Sequence, residues 1–134
     1  MPGKKPKPTE LELLILKVLW QTPSDELPSP VRDVRLGLAQ IGRELAHTTV
    51  ITTLNTMVEK NFLTRTKHKN AFRFLPKVSE KDVHGSAITD VLDRVFDGSA
   101  EHLMSALLDS KKVGEEEIAE IRKLINKKAK ELKQ

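Results

Sequence analysis

Five threonines, Thr48, Thr49, Thr52, Thr53 and Thr56, stand within nine residues of this chain, interleaved with Val50, Ile51 and Leu54. A threonine offers its hydroxyl to phosphate oxygens or base edges and its methyl to the methyl group of thymine. At about 100° per residue, Val50, Ile51, Met57 and Val58 gather within about 60° of Leu54. Thr49, Thr52, Thr56 and Glu59 then fall opposite, with Thr48, Thr53, Asn55 and Lys60 at the flanks. β-Branched threonine is a mediocre helix former, so solubility alone explains five of them poorly. The pattern reads as a helix whose short, almost uncharged side enters a DNA major groove. Asn55, at the edge of that face, suits adenine contact and helix packing equally. No arginine or glutamine projects from the helix, so the commonest bidentate reader of guanine is missing, and dimerisation and DNA shape are expected to supply the remaining discrimination.

Basic residues follow directly: Arg65, Lys67, His68, Lys69 and Arg73. Alternation along a strand puts Arg65, Lys67 and Lys69 on one side. Their expected work is phosphate contact, which adds salt-sensitive affinity without sequence information. A solvated hairpin tip is the plainer alternative. Arg43, ahead of the helix, is expected to join them. The net charge of +4 is unevenly divided. Residues 1–78 hold 13 basic against 7 acidic residues, a net +6, whereas residues 79–134 hold 10 against 12, a net −2. A polyanion therefore belongs with the first part.

Other chemistries find no support. His47, His68, His84 and His102 show no i, i+4 pairing and no acidic partner at zinc-motif spacing. The six glycines are scattered singly, no nucleophile-elbow sequence occurs, and cysteine is absent. Nothing points to an enzyme, a metal site or a cofactor. No run approaches 18 apolar residues, so no membrane insertion is expected. Met1 to Pro8 has no apolar stretch of a secretory signal, and the absence of cysteine fits an expected cytoplasmic setting.

The elements that must position the threonines are legible in outline. Residues 1–8 read as a disordered basic tail. Thr9-Glu10-Leu11-Glu12 has the form of a capping box opening a helix through Leu11, Leu14, Ile15, Val18, Leu19 and Trp20. Ser29-Pro30 reads as N-cap and first residue of a second helix, with Val31, Val34, Leu38 and Ile41 as its stripe and Leu27 as a one-residue strand before it. The third helix runs from about Thr48 to Lys60 and stops at Asn61. Phe62 to Thr66 and Ala71 to Leu75 read as strands joined by the four residues Lys67 to Asn70. Helix, helix, helix, hairpin over residues 9–78 is the order of a winged helix-turn-helix.

Residues 79–134 read as three amphipathic helices. Val91 and Val95 mark the first, Leu103 and Leu107 the second, and Ile118, Ile121 and Ile125 the third. Their apolar faces exceed what 56 residues can bury alone, so a second copy is the economical partner. The expected fold is mainly α with a small β-hairpin: a winged helix-turn-helix followed by a C-terminal helical dimerisation segment.

Several runs resemble the penicillinase repressor family, the BlaI/MecI winged-helix regulators. They are Ala46-His47-Thr48-Thr49-Val50 with Thr53-Leu54, Val58-Glu59-Lys60-Asn61-Phe62-Leu63, and Ala71-Phe72-Arg73-Phe74 before Pro76. Pro8-Thr9-Glu10, Val18-Leu19-Trp20, Ser105-Ala106-Leu107-Leu108 and Glu115-Glu116-Glu117-Ile118 extend the likeness to nearly the whole chain. The resemblance implies a bacterial repressor that binds double-stranded inverted-repeat operators as a homodimer. It further implies relief by a membrane sensor-protease pathway that cuts the dimerisation segment. By position that cut falls near Asp109-Ser110, where the best-known members carry Asn-Phe. Lys69-Asn70 stands where Gly-Arg is common, and the cysteine-rich motif of the copper-responsive relatives is absent. A winged-helix module for protein contacts and a ligand-gated regulator are the alternatives. The short connection from Pro76 to Ser79 and the few aromatics, 4% of the chain, speak against a roomy pocket.

Overall fold

The computed structural model describes residues 7–134, so all but the end of the expected basic tail lies outside the described residues. The chain forms six α-helices and three short strands among the described residues. It divides into two compact units, one ending at Ala87 and the other spanning Ile88–Gln134.

In the first unit, α1 (Glu10–Gln21) opens with the full capping box: Thr9 Oγ1 accepts from the Glu12 amide, and Glu12 Oε1 accepts from the Thr9 amide. Its buried Ile15, Leu16 and Leu19 meet Val31, Val34 and Leu38 of α2 (Val31–Gln40). These helices cross closely at Gly37, where a Cβ would come within 2.5 Å of Val18 Cγ1. Val50, Leu54 and Met57 of α3 (His47–Glu59) complete the core with Phe62, Leu63 and Phe74. The three- and four-residue spacing of these buried positions gives each helix one apolar stripe, and three stripes facing inward make one core.

Two local expectations are corrected. Ser29 and Pro30 form β1, antiparallel to β3 (Ala71–Pro76), and the helix begins at Val31 without a side-chain cap. Pairing with Phe74 and Arg73 engages this backbone, and the edge position spares Pro30 the amide it lacks. Ile41 falls outside the α2 stripe: the helix ends at Gln40, the chain turns at Gly42 (φ 89°), and Ile41 is 51% exposed.

The third helix stops as expected. Asn61 takes φ 66°, its amide reaches the Val58 carbonyl, and the Phe62 amide reaches the Met57 carbonyl. That is the Schellman arrangement, and Phe62 is thereby turned into the core. β2 (Leu63–His68) then pairs antiparallel with β3, giving the sheet order β1-β3-β2. The hairpin connection is Lys69-Asn70 alone, not four residues, because pairing continues to His68 opposite Ala71. Lys69 holds the turn at φ 58°. Trp20 Nε1 donates to the Val78 carbonyl at 3.0 Å, anchoring the chain beyond the hairpin on this unit.

The boundary between the units falls within α4 (Glu80–Arg94). The second unit continues through α5 (Ala100–Asp109), capped by Ser99 Oγ accepting from the His102 amide, to α6 (Glu115–Leu132). Glu115, Glu116 and Glu117 fill the first turn of α6 and Lys130 its last, as the helix dipole favours. No residue of 88–134 is fully buried. No described helix is long and apolar enough to cross a membrane.

Candidate nucleic-acid interface

The two sides of α3 differ as its periodicity dictates. Val50, Leu54 and Met57 are wholly buried, Thr48, Thr49 and Thr52 are exposed, and Thr53, Asn55 and Thr56 are half-buried. The threonines are not equivalent. Thr53 Oγ1 donates to the Thr49 carbonyl at 2.8 Å, and Thr56 Oγ1 donates to the Thr52 carbonyl at 3.1 Å. With those protons engaged, the two hydroxyls present acceptor lone pairs and methyl groups outward. The acidic member of this face, Glu59, is the last residue of the helix.

Long-range contacts fix the pose of α3. Lys60 Nζ lies 3.0 Å from both carboxylate oxygens of Glu12, so the end of α3 is tied to the start of α1. Arg35 Nε donates to the Leu45 carbonyl at 2.9 Å, closing the turn between α2 and α3. Arg43 is turned to α1, where its Nη1 meets Glu10 Oε1 at 2.9 Å. Glu10 is exposed and Arg43 only half-buried, so the contact is weak enough to exchange for another anion.

The hairpin sorts its cations by face. Arg65 lies opposite Phe74 and Lys67 opposite Phe72, so these four share one side of the sheet. Arg73, opposite Thr66 on β2 and Pro30 on β1, belongs to the other side and is half-buried. Lys69 is exposed in the turn. Arg65 Nη1 donates to Asn55 Oδ1 at 2.8 Å, which joins the wing to α3. Its guanidinium carbon lies 4.2 Å from the centre of the Phe72 ring.

Arg32 and Arg35 were not among the residues singled out from sequence. Both are exposed on α2, three residues apart and therefore on neighbouring surface. Following only the apolar stripe of α2 passes over them; the polar positions of that helix carried the signal. From Arg43 to Pro76 there are six basic residues against Glu44 and Glu59, so the surroundings of α3 are cationic although its outer face is not.

Elsewhere, no group of three or more His, Asp or Glu residues is placed to hold a metal among the described residues. In the second unit, Val95 is 59% and Ile125 52% exposed, Leu107 is exposed, and Val91, Leu103, Ile118 and Ile121 are half-buried. Asp109, the last residue of α5, is exposed, and the Ser110 hydroxyl donates to the Leu107 carbonyl at 2.7 Å.

Comparison with known proteins agrees with the resemblance noted in the sequence. The penicillinase repressor family model matches residues 8–127. The methicillin resistance regulatory protein MecI of Mammaliicoccus sciuri is 20% identical over 128 residues, 96% of this chain and 100% of that protein. MecI of Staphylococcus aureus strain N315 gives the same identity and coverage. Among solved structures, the monomeric form of Bacillus licheniformis BlaI, in complex with the blaP half-operator, is 25% identical. That match covers 59% of this chain and 90% of the BlaI chain, with a TM-score of 0.46.

Proposed function

The chain belongs to the penicillinase repressor family, and from that premise we propose that it represses transcription in a bacterial cytoplasm as a homodimer on inverted-repeat operators. Like the rest of a repressor family, it is not an enzyme. The observation that carries the reading is α3 itself: an aliphatic side sunk in the core, and an outer side of small hydroxyl-bearing residues with no lysine or arginine and with Glu59 only at its end.

Thr49, Thr52 and Thr56 face the major groove, with Thr48 and Thr53 toward its walls. Small side chains let the helix backbone approach the base edges, where threonine methyls contact thymine and hydroxyls contact bases or phosphate. Lys67, Lys69 and Arg73 contribute phosphate contacts from the wing, and Arg32 and Arg35 from α2. Arg43 joins them by exchanging Glu10 for phosphate. Arg65 is the remaining wing contact.

Residues 79–134 form the dimer contact through Val91, Val95, Leu103, Leu107, Ile118, Ile121 and Ile125. Support comes from the second unit having no fully buried residue while leaving Leu124, Ile125 and Val95 more than half exposed. Two copies then read half-sites about one helical turn, roughly 34 Å, apart. Relief of repression by a membrane sensor-protease pathway acts at Asp109-Ser110, the exposed end of α5.

The test is a mobility-shift titration on a duplex selected from random sequence by the full-length chain. Thr52→Glu sets a carboxylate against the groove and is expected to abolish the shift. An affinity equal to that of the unmodified chain would remove α3 from the DNA.

A further inference from the structure

The outer face of α3 lacks a bidentate guanine reader, yet the hairpin brings one to its edge. The Arg65 guanidinium is held twice: Nη1 donates to Asn55 Oδ1 at 2.8 Å, and its carbon lies 4.2 Å from the Phe72 ring centre. On the helix wheel Asn55 lies within about 60° of Thr48 and Thr52, so the guanidinium sits at that edge of the outer face. Phe72 arrives from β3 opposite Lys67, on the sheet face that also carries Arg65. A directional hydrogen bond fixes where the group lies, and the aromatic contact restricts its motion over the ring.

Phosphate asks only for positive charge, which a mobile lysine supplies. Lysine can also reach guanine O6 and N7, but a planar fork held in place meets both acceptors in one fixed geometry. Arginine carries five N–H donors, and the contact to Asn55 uses one. Asn55, with Oδ1 engaged by a cation, is less suited to the accept-and-donate pairing that adenine requires.

We propose that Arg65 is a specificity-determining residue that reads guanine beside the Thr48 and Thr52 contacts, with Asn55 and Phe72 as positioning residues acting through it. The inference rests on α3 entering the major groove and goes beyond it by assigning base recognition to the wing.

The experiment measures the affinity ratio between the selected operator duplex and a random-sequence duplex of equal length. Arg65→Lys keeps the charge and loses the fork, so the loss of affinity for the selected duplex is expected to exceed the loss on the random duplex about tenfold, with the salt dependence retained. Phe72→Leu and Asn55→Ala are each expected to lower the ratio about threefold, with no further loss in the Arg65→Lys background. Phe72→Tyr, which keeps the ring, restores it. A second probe needs no variant: 7-deazaguanine, placed singly at each operator guanine, should weaken the unmodified chain at one position per half-site. Arg65→Met, which has no donor, should be indifferent to that replacement. An undiminished ratio in Arg65→Lys, or equal loss on both duplexes, overturns base reading by Arg65 and leaves α3 in the groove. No binding to any duplex by the unmodified chain removes both.

Discussion

The contact between Glu12 and Lys60 gives an uneven pair of expected losses. Glu12 is 3% exposed and accepts from the Thr9 amide as well as from Lys60 Nζ, whereas the Lys60 side chain is 30% exposed. Removing the carboxylate with Glu12→Ala costs the capping interaction, about 1 kcal/mol. It also leaves a lysine that can still reach water, which adds about 1 kcal/mol. Lys60→Met keeps the apolar stem and the cap but strands a carboxylate where water hardly reaches. Breaking a buried pair from one side costs about 3–5 kcal/mol, and the partial exposure of Lys60 puts this case near 3 kcal/mol. The more exposed partner is therefore the more expensive to remove. Glu12→Gln with Lys60→Met together should cost less than Lys60→Met alone, because no charge is left stranded. Urea unfolding followed by fluorescence of Trp20, the single tryptophan, reports on the unit that holds this pair. A Lys60→Met loss below about 0.5 kcal/mol would refute the argument, since surface pairs behave that way.

Three further outcomes are expected. Lys69→Gly should stabilise the hairpin unit by about 1 kcal/mol, because φ 58° strains any residue with a Cβ; thermal unfolding checks it. Lys67→Met should reduce the slope of log affinity against log salt by about 0.9 on any duplex, whereas Thr52→Ser should leave that slope unchanged. Ile125→Glu should convert the dimer to monomer in sedimentation equilibrium while leaving the Trp20 unfolding transition in place, and a persistent dimer would move the interface off α6.

How far the sequence reached depended on the range of the interaction concerned. The α3 stripe, the Thr9–Glu12 box and the Asn61 stop are each set within a few residues, and each was legible. Ser29-Pro30 carries the marks of a helix start, but its pairing is with residues more than 40 positions away. Arg43 and Arg65 read as free cations because their partners are Glu10, 33 residues earlier, and Asn55 across the turn between α3 and β2. Hairpin length was misjudged because Lys69 holds a backbone conformation that its side chain gives no sign of. Ile41 matched the period of α2, and only the chain's turn at Gly42 removed it from the stripe.

The placement of charge bears on how repression could be switched off. Affinity on this reading comes from Arg32, Arg35 and the wing, and base contact from Arg65 and from threonines whose hydroxyls and methyls supply little energy each. One copy therefore grips a half-site weakly. Joining two copies makes the second binding event intramolecular, at an effective concentration set by the helices of 79–134, and can raise avidity by about 10²–10⁴ without a new DNA contact. Cutting at Asp109-Ser110 would separate α6 from α5 and take Ile118, Ile121 and Ile125 from the shared face, leaving every proposed DNA-contacting residue untouched. A repressor built from strong single-copy contacts would stay on its operator after such a cut. On the proposed reading this one, whose reading helix presents no lysine or arginine, would be released by loss of its partner alone.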